Sequence, residues 1–189
     1  MSGPAAVADD AARAPVGRRP HWALFGGLAV GVVLADQATK LWVDGAFPLA
    51  SIHGPVPGLA APTQVLGDLV RIAKSYNDGG LFGLFDAGAP LLALASLGVI
   101  GLLVYMQARA GSAGSVLSTI TLGLLLGGAL GNLIDRIRLG SVIDFVDMGV
   151  GDLRWYTYNV ADAAISLAIV GLLLTALGPR RPRADDGAR

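Results

Sequence analysis

Four apolar stretches, residues 22–43, 88–106, 116–134 and 159–178, govern what this chain can fold into. Each approaches the roughly 20 residues that a helix needs to cross a bilayer's hydrocarbon core. With 53% hydrophobic and 15% charged residues, and a mean hydropathy of +0.61, the chain is too apolar for an ordinary soluble domain of 189 residues. The reading is an all-α membrane protein with four transmembrane helices. A formal net charge of zero and no long basic run leave nucleic acid without an electrostatic footprint to meet. The chain has no cysteine, which removes disulfides, thiolate metal sites and a cysteine nucleophile. His21 and His53 lie far from any acidic group of interest and make a poor catalytic pair.

The informative acids stand at the ends of these spans. Asp36 and Lys40 are four apart near the end of the first, so one helix face can hold them as an ion pair, structural or snorkelling to the interface. Asp135 closes the third, Asp144 follows it and Asp162 enters the fourth. An ionisable group at bilayer depth costs a few kcal/mol or more unless it is paired or hydrated, so these positions call for partners or a use. Asp144 and Asp162 are the best candidates for a carboxylate dyad, which shares one proton so that one member is an acid and the other a base. Asn159 stands one helical turn before Asp162, while Asp135 is followed by Arg136 and reads as an ion-paired structural acid. The bland alternative, that all of these are interfacial charges, stays open on the residues alone.

Between the spans the chain reads as follows. Residues 1–20, rich in Ala, Pro, Gly and Arg, form a disordered tail, 21–178 the membrane domain and 179–189 a charged tail. The 45–67 loop carries Pro48, Pro55, Pro57 and Pro62, which argues against helix and gives no sign of folding. In 69–76, Val70, Ile72 and Tyr76 alternate with Arg71 and Ser75 as in a surface strand. Asn77-Asp78-Gly79-Gly80 then supplies a turn. Residues 141–148 read as a strand, 149–152 as a turn, and 154–158 as the strand that pairs back. Gly123, Gly127 and Gly131 recur every four residues and permit close helix packing. The tails and the 107–115 loop hold Arg13, Arg18, Arg19, Arg109, Arg180, Arg181, Arg183 and Arg189, against Arg71, Lys74, Arg136, Arg138 and Arg154 in the other loops. The positive-inside rule therefore puts both termini in the cytoplasm, and the acids with the small β element on the outer side.

The chain resembles the lipoprotein signal peptidases (signal peptidase II), membrane aspartyl proteases of bacteria. The resemblance covers residues 22–178 and rests on the order and spacing of Asp36-Gln37-Ala38-Thr39-Lys40, Asn77-Asp78-Gly79-Gly80-Leu81-Phe82, Gly131-Asn132-Leu133-Ile134-Asp135-Arg136, Val142-Ile143-Asp144-Phe145 and Asn159-Val160-Ala161-Asp162. It implies that Asp144 and Asp162 are the catalytic dyad. It implies that Asn77, Gly79, Asn132, Arg136 and Asn159 shape the site or hold substrate, and that Asp36, Lys40 and Asp135 support it. It further implies cleavage before a diacylglyceryl-modified cysteine in prolipoproteins, with membrane lipid around the enzyme, a place in the bacterial inner membrane, and neither cofactor nor metal. The pattern departs at Gly80-Leu81, where the family commonly has two alanines, and the bulk of Leu81 bears on substrate preference.

Overall fold

The computed structural model describes residues 21–79, 88–110 and 115–177. The expectations for the two tails and for Gly80-Leu81 lie outside them. The elements run α1 (Trp22–Ala46), β1 (Thr63–Leu66), β2 (Val70–Asn77), α2 (Gly88–Ala110), α3 (Val116–Leu139), β3 (Val142–Val150), β4 (Leu153–Arg154) and α4 (Val160–Leu177). The described residues thus form four helices and one small sheet. By length and composition α1, α2 and α3 are able to cross a membrane, while the apolar segment of α4, Val160–Leu174, is shorter.

α3 is the central helix: 56% of its apolar window is buried inside the protein, against 17% for α1 and 11% for α2. Glycines make this possible. A Cβ at Gly127 would lie 2.6 Å from Val32 Cβ, and one at Gly128 would lie 2.6 Å from the Ala161 carbonyl oxygen, so α1 and α4 approach the α3 backbone from two sides. Phe25 and Ala29 of α1, Leu103 of α2, and Leu122 and Leu126 of α3 fill the space between them.

The strands lie in the order β1-β2-β3-β4, antiparallel throughout. A register shift between Ile72 and Ser75 of β2 leaves Ser75 opposite Asp144 and Asn77 opposite Val142. Val43 at the end of α1 packs with Ile143 and Phe145 of β3, and Ile72 and Val160 close over them, so the sheet is seated on one end of the bundle.

The 45–67 loop, whose structure the sequence left open, contains β1, and Leu49 and Ala50 bridge to Lys74 and Ala60. Two expectations change. α3 does not stop at Ile134 but continues to Leu139, where Gly140 caps it at φ 74°, which places Asp135 inside the helix. The strand returning from β3 is Leu153–Arg154, and of the 154–158 stretch only Arg154 belongs to it, with Tyr158 rejoining at a single bridge to Val146.

Candidate active site

The site forms where α1, α3, α4 and the sheet meet, and it begins with the entry into α4. Asn159 is followed by an apolar helix whose first N–H groups have no partner within the helix ladder and need side-chain acceptors. The Asn159 side-chain oxygen accepts from the Asp162 N–H at 3.0 Å, and Asp162 Oδ2 accepts from the Asn159 N–H at 3.1 Å. This reciprocal pair is a capping box built from Asn and Asp. It fixes Asp162 at the positive end of the helix.

Asn159, fully buried, also reaches the other acid: its Nδ2 donates to Asp144 Oδ1 at 2.7 Å. Asn77, the last residue of β2, donates to Asp144 Oδ2 at 2.9 Å, and its own Oδ1 accepts from the Gly79 N–H at 2.9 Å. Gly79 sits at φ 74°, a conformation that requires glycine here, so turn and strand end together aim Asn77 at Asp144. Asp162 Oδ1 accepts from Asn132 Nδ2 at 2.8 Å. Two carboxylates are thus brought together, bonded to a common residue, with an asparagine from a different element on each far side. Burial pushes the Asp144 carboxyl up to about 6, and Asp162's charge adds to that, against the opposing pull of the Asn77 and Asn159 amides and of Lys40. The side chain of Arg136 donates to the Asn132 carbonyl at 3.4 Å, and its charge reaches Asp162, Asp144 and Asp135.

Behind the dyad lies a buried charge cluster. Lys40 Nζ is 2.8 Å from Asp36 Oδ2, 2.8 Å from Asp135 Oδ2 and 3.0 Å from Asn132 Oδ1. The expected Asp36–Lys40 pair is therefore present. The expected pairing of Asp135 with Arg136 is not, because adjacent residues on a helix point in different directions; Asp135 turns to Lys40 and accepts from the Ile143 N–H at 3.2 Å. Asp36 Oδ1 accepts from the Ala161 N–H at 3.0 Å, tying α1 to the start of α4.

Sequence reasoning missed several participants. Gln37 donates to Asp135 Oδ1 at 3.0 Å and to the Gly131 carbonyl at 3.2 Å, and accepts from Arg138 at 3.3 Å. On the sheet, fully buried Asp147 takes Arg71 Nε at 2.6 Å and Arg154 Nε at 3.0 Å, while Asp68 meets both arginines and accepts from the Gly151 N–H. This network clamps β2, β3 and β4 three residues beyond Asp144. Its signal in the sequence was an acid inside an apolar strand, with an arginine in each neighbouring strand.

A family model described as signal peptidase (SPase) II matches residues 28–178. The chain belongs to the signal peptidase II family. Among its relatives, a lipoprotein signal peptidase of Methylorubrum extorquens (strain PA1) is 43% identical over 157 residues, covering 79% of this chain and 84% of the relative. One of Burkholderia mallei (strain SAVP1) is 36% identical over 167 residues, covering 86% and 90%. Among solved structures, a bacterial membrane enzyme determined by the in meso method at 1.9 Å superposes with a TM-score of 0.75 at 22% identity, covering 86% of this chain and 98% of the other. At that identity the likeness is one of fold. The signal peptidase II match takes in every block that carried the resemblance, from Asp36 to Asp162.

Proposed function

We propose that the protein is an intramembrane aspartic endopeptidase that cleaves prolipoproteins just before a diacylglyceryl-modified cysteine, with Asp144 and Asp162 as its catalytic dyad. As a member of the signal peptidase II family it is a protease that removes signal peptides from prolipoproteins. The observation that carries the aspartyl reading is the single buried residue Asn159 bonded to both carboxylates, its side-chain amide donating to Asp144 and its backbone N–H to Asp162, whose own N–H returns to the Asn159 side-chain oxygen. Carboxylates so held share one proton, and the pair activates water against an amide without thiol, activated serine or metal. Asn77, Gly79, Asn132, Arg136 and Asn159 shape the site and contact substrate, and Asp36, Lys40 and Asp135 hold the frame. The four helices all span, the tails face the cytoplasm and the site lies near the outer leaflet of the inner membrane, in line with the arginine asymmetry. The signal helix and the lipid reach the site laterally from the bilayer.

The test is cleavage of a lipidated precursor and its unlipidated form by the purified protein. A shortened product from the lipidated form alone is expected, unaffected by chelators, with turnover in Asp144→Asn and Asp162→Asn lower by two or more orders of magnitude. Near-normal turnover in either variant would refute the aspartyl mechanism.

A further inference from the structure

The two acids of the dyad are built into different kinds of structure. Asp162 lies in the first turn of α4, half-buried, with its Oδ2 on the Asn159 N–H at 3.1 Å and the helix's positive end beneath it. Its Oδ1 takes the amide of Asn132 at 2.8 Å, and the oxygen of that amide takes the Lys40 ammonium at 3.0 Å, so the donor facing Asp162 is polarised through a direct hydrogen bond to a cation. Asp144 stands third in β3, 3% exposed, and meets the start of α4 through the Asn159 side chain and not through a backbone N–H of its first turn. Its two donors, the Asn77 and Asn159 side chains, are uncharged. The groups facing its carboxyl are Lys40 from α1, Asn77 from β2, Arg136 from α3, and Asn159 and Asp162 from α4, while the Ser75 hydroxyl of β2 donates to its backbone carbonyl. Lys40 already holds Asp36 and Asp135, each at 2.8 Å, so much of its charge is answered before it reaches Asp144.

We infer that the shared proton rests on Asp144 and that Asp162 is the ionised base, with Asn132 and Asn159 as the positioning residues that impose this order. The inference rests on the aspartyl reading and gives its two members separate tasks. Asp162 takes a proton from water as the water oxygen bonds to the scissile carbonyl carbon. The carbonyl π pair moves onto its oxygen, which receives the Asp144 proton, leaving a neutral gem-diol between Asp162 carrying the proton and Asp144 ionised. Collapse then breaks the C–N bond, the Asp162 proton goes to the departing amine of the cysteine, and Asp144 recovers its proton from the gem-diol hydroxyl that becomes the new carbonyl. Burial of Asp144 agrees with this order.

The test is infrared difference spectroscopy of the full-length protein in detergent, titrated between about pH 4 and about pH 8, a range that brackets the ordinary and the raised carboxyl. One protonated-carboxyl band is expected to disappear around pH 6, to be absent from Asp144→Asn and to persist in Asp162→Asn. Should Asp162→Asn lose its fold along with half of its capping box, Asp162→Ser, whose hydroxyl can still cap, takes its place, and loss of the band from a folded Asp162 variant puts the proton on Asp162 and overturns the assignment. The second readout is affinity for a peptide mimic that places a hydroxyl at the scissile carbon. In wild type it weakens as pH rises past about 6 by up to tenfold per pH unit, because the donor on Asp144 is lost, and in Asp144→Asn that dependence vanishes. A band that survives in Asp144→Asn, or a mimic whose pH dependence does, overturns the assignment. A catalytically dead Asp144→Asn that keeps the band sinks the proton order alone, whereas near-normal cleavage by Asp144→Asn sinks the aspartyl reading beneath it.

Discussion

A single lysine carries much of the site's electrostatic burden. Lys40 is 1% exposed and sits between two buried carboxylates, so its removal leaves Asp36 and Asp135 facing each other without a cation in a place that water reaches poorly. Breaking a buried pair by deleting one partner typically costs about 3–5 kcal/mol, and here two pairs break together. Lys40→Met is therefore expected to give little folded protein. Asp135→Asn is expected to be milder, because the amide oxygen still accepts the Ile143 N–H and Lys40 keeps Asp36. Thermal unfolding in detergent and turnover per folded molecule check this: Asp135→Asn should lower stability chiefly and leave most turnover. A collapse of turnover in Asp135→Asn at unchanged stability would move that residue from support into the chemistry. The roles of these acids were only half legible in the chain. The Asp36–Lys40 spacing announced a pair, but the partner of Asp135 comes from another helix, and sequence neighbours such as Arg136 are poor guides to contacts that only tertiary packing creates.

At the level of elements, small residues set the distances on which the site depends. A Cβ at Gly131 would lie 2.6 Å from Asp36 Oδ2 and 3.3 Å from Ala161 Cβ, in the plane where α1, α3 and α4 converge, whereas Gly27 has open space around it. Gly131→Ala is expected to displace Asp36 from the Ala161 N–H and to lose about 1–3 kcal/mol through overpacking. Gly27→Ala should be neutral or slightly stabilising, by up to about 1 kcal/mol of helix propensity. Equal melting temperatures for the two variants would show that α3 does not need its close approach. The glycine period, the four long helices and β2 were readable because each follows from a local rule: small-residue packing, the length of an apolar run and alternation. β1 was not, since four residues, Thr63–Leu66, among prolines have no pattern of their own and owe their strand to pairing with β2. The far end of α3 was hidden because Arg136 and Arg138 end the apolar run, although they do not end the helix. Asp144 and Asp162 stood out as acids at span edges, but the capping box that joins Asp162 to Asn159 is a matter of geometry, and Asp147 showed its purpose only once Arg71 and Arg154 had folded onto it.

For the molecule as a whole, all the acids of the site gather at one end, and the direction that end faces decides whether an exported precursor can meet them. The basic residues of the site end have partners in the fold: Arg71 and Arg154 bind Asp68 and Asp147, Lys74 binds Asp44, Arg136 bonds the Asn132 carbonyl and Arg138 bonds Gln37. They are accounted for by folding, and their presence there does not argue for a cytoplasmic face. The arginines of the 107–115 loop and of the two tails are the larger group, and the proposed orientation rests on them through the positive-inside rule. A reporter fused after Arg189, or placed in the 107–115 loop, is expected to read cytoplasm, and one in the 45–67 loop to read the outer side. Because β1 and its bridges tie the 45–67 loop to the sheet, the insertion belongs at Pro55–Pro57, clear of Ala50, Ala60 and β1. Opposite readings from the 45–67 and 107–115 reporters test the span of α2, which lies between them, and agreement between the Arg189 and 107–115 reporters is what crossing by both α3 and α4 requires. An outer reading after Arg189, with the 107–115 loop still cytoplasmic, would mean that α4, whose apolar segment is the shortest, does not cross as proposed. The scheme in which Asp162 enters the membrane beside Asp144 from the outer face would then fail.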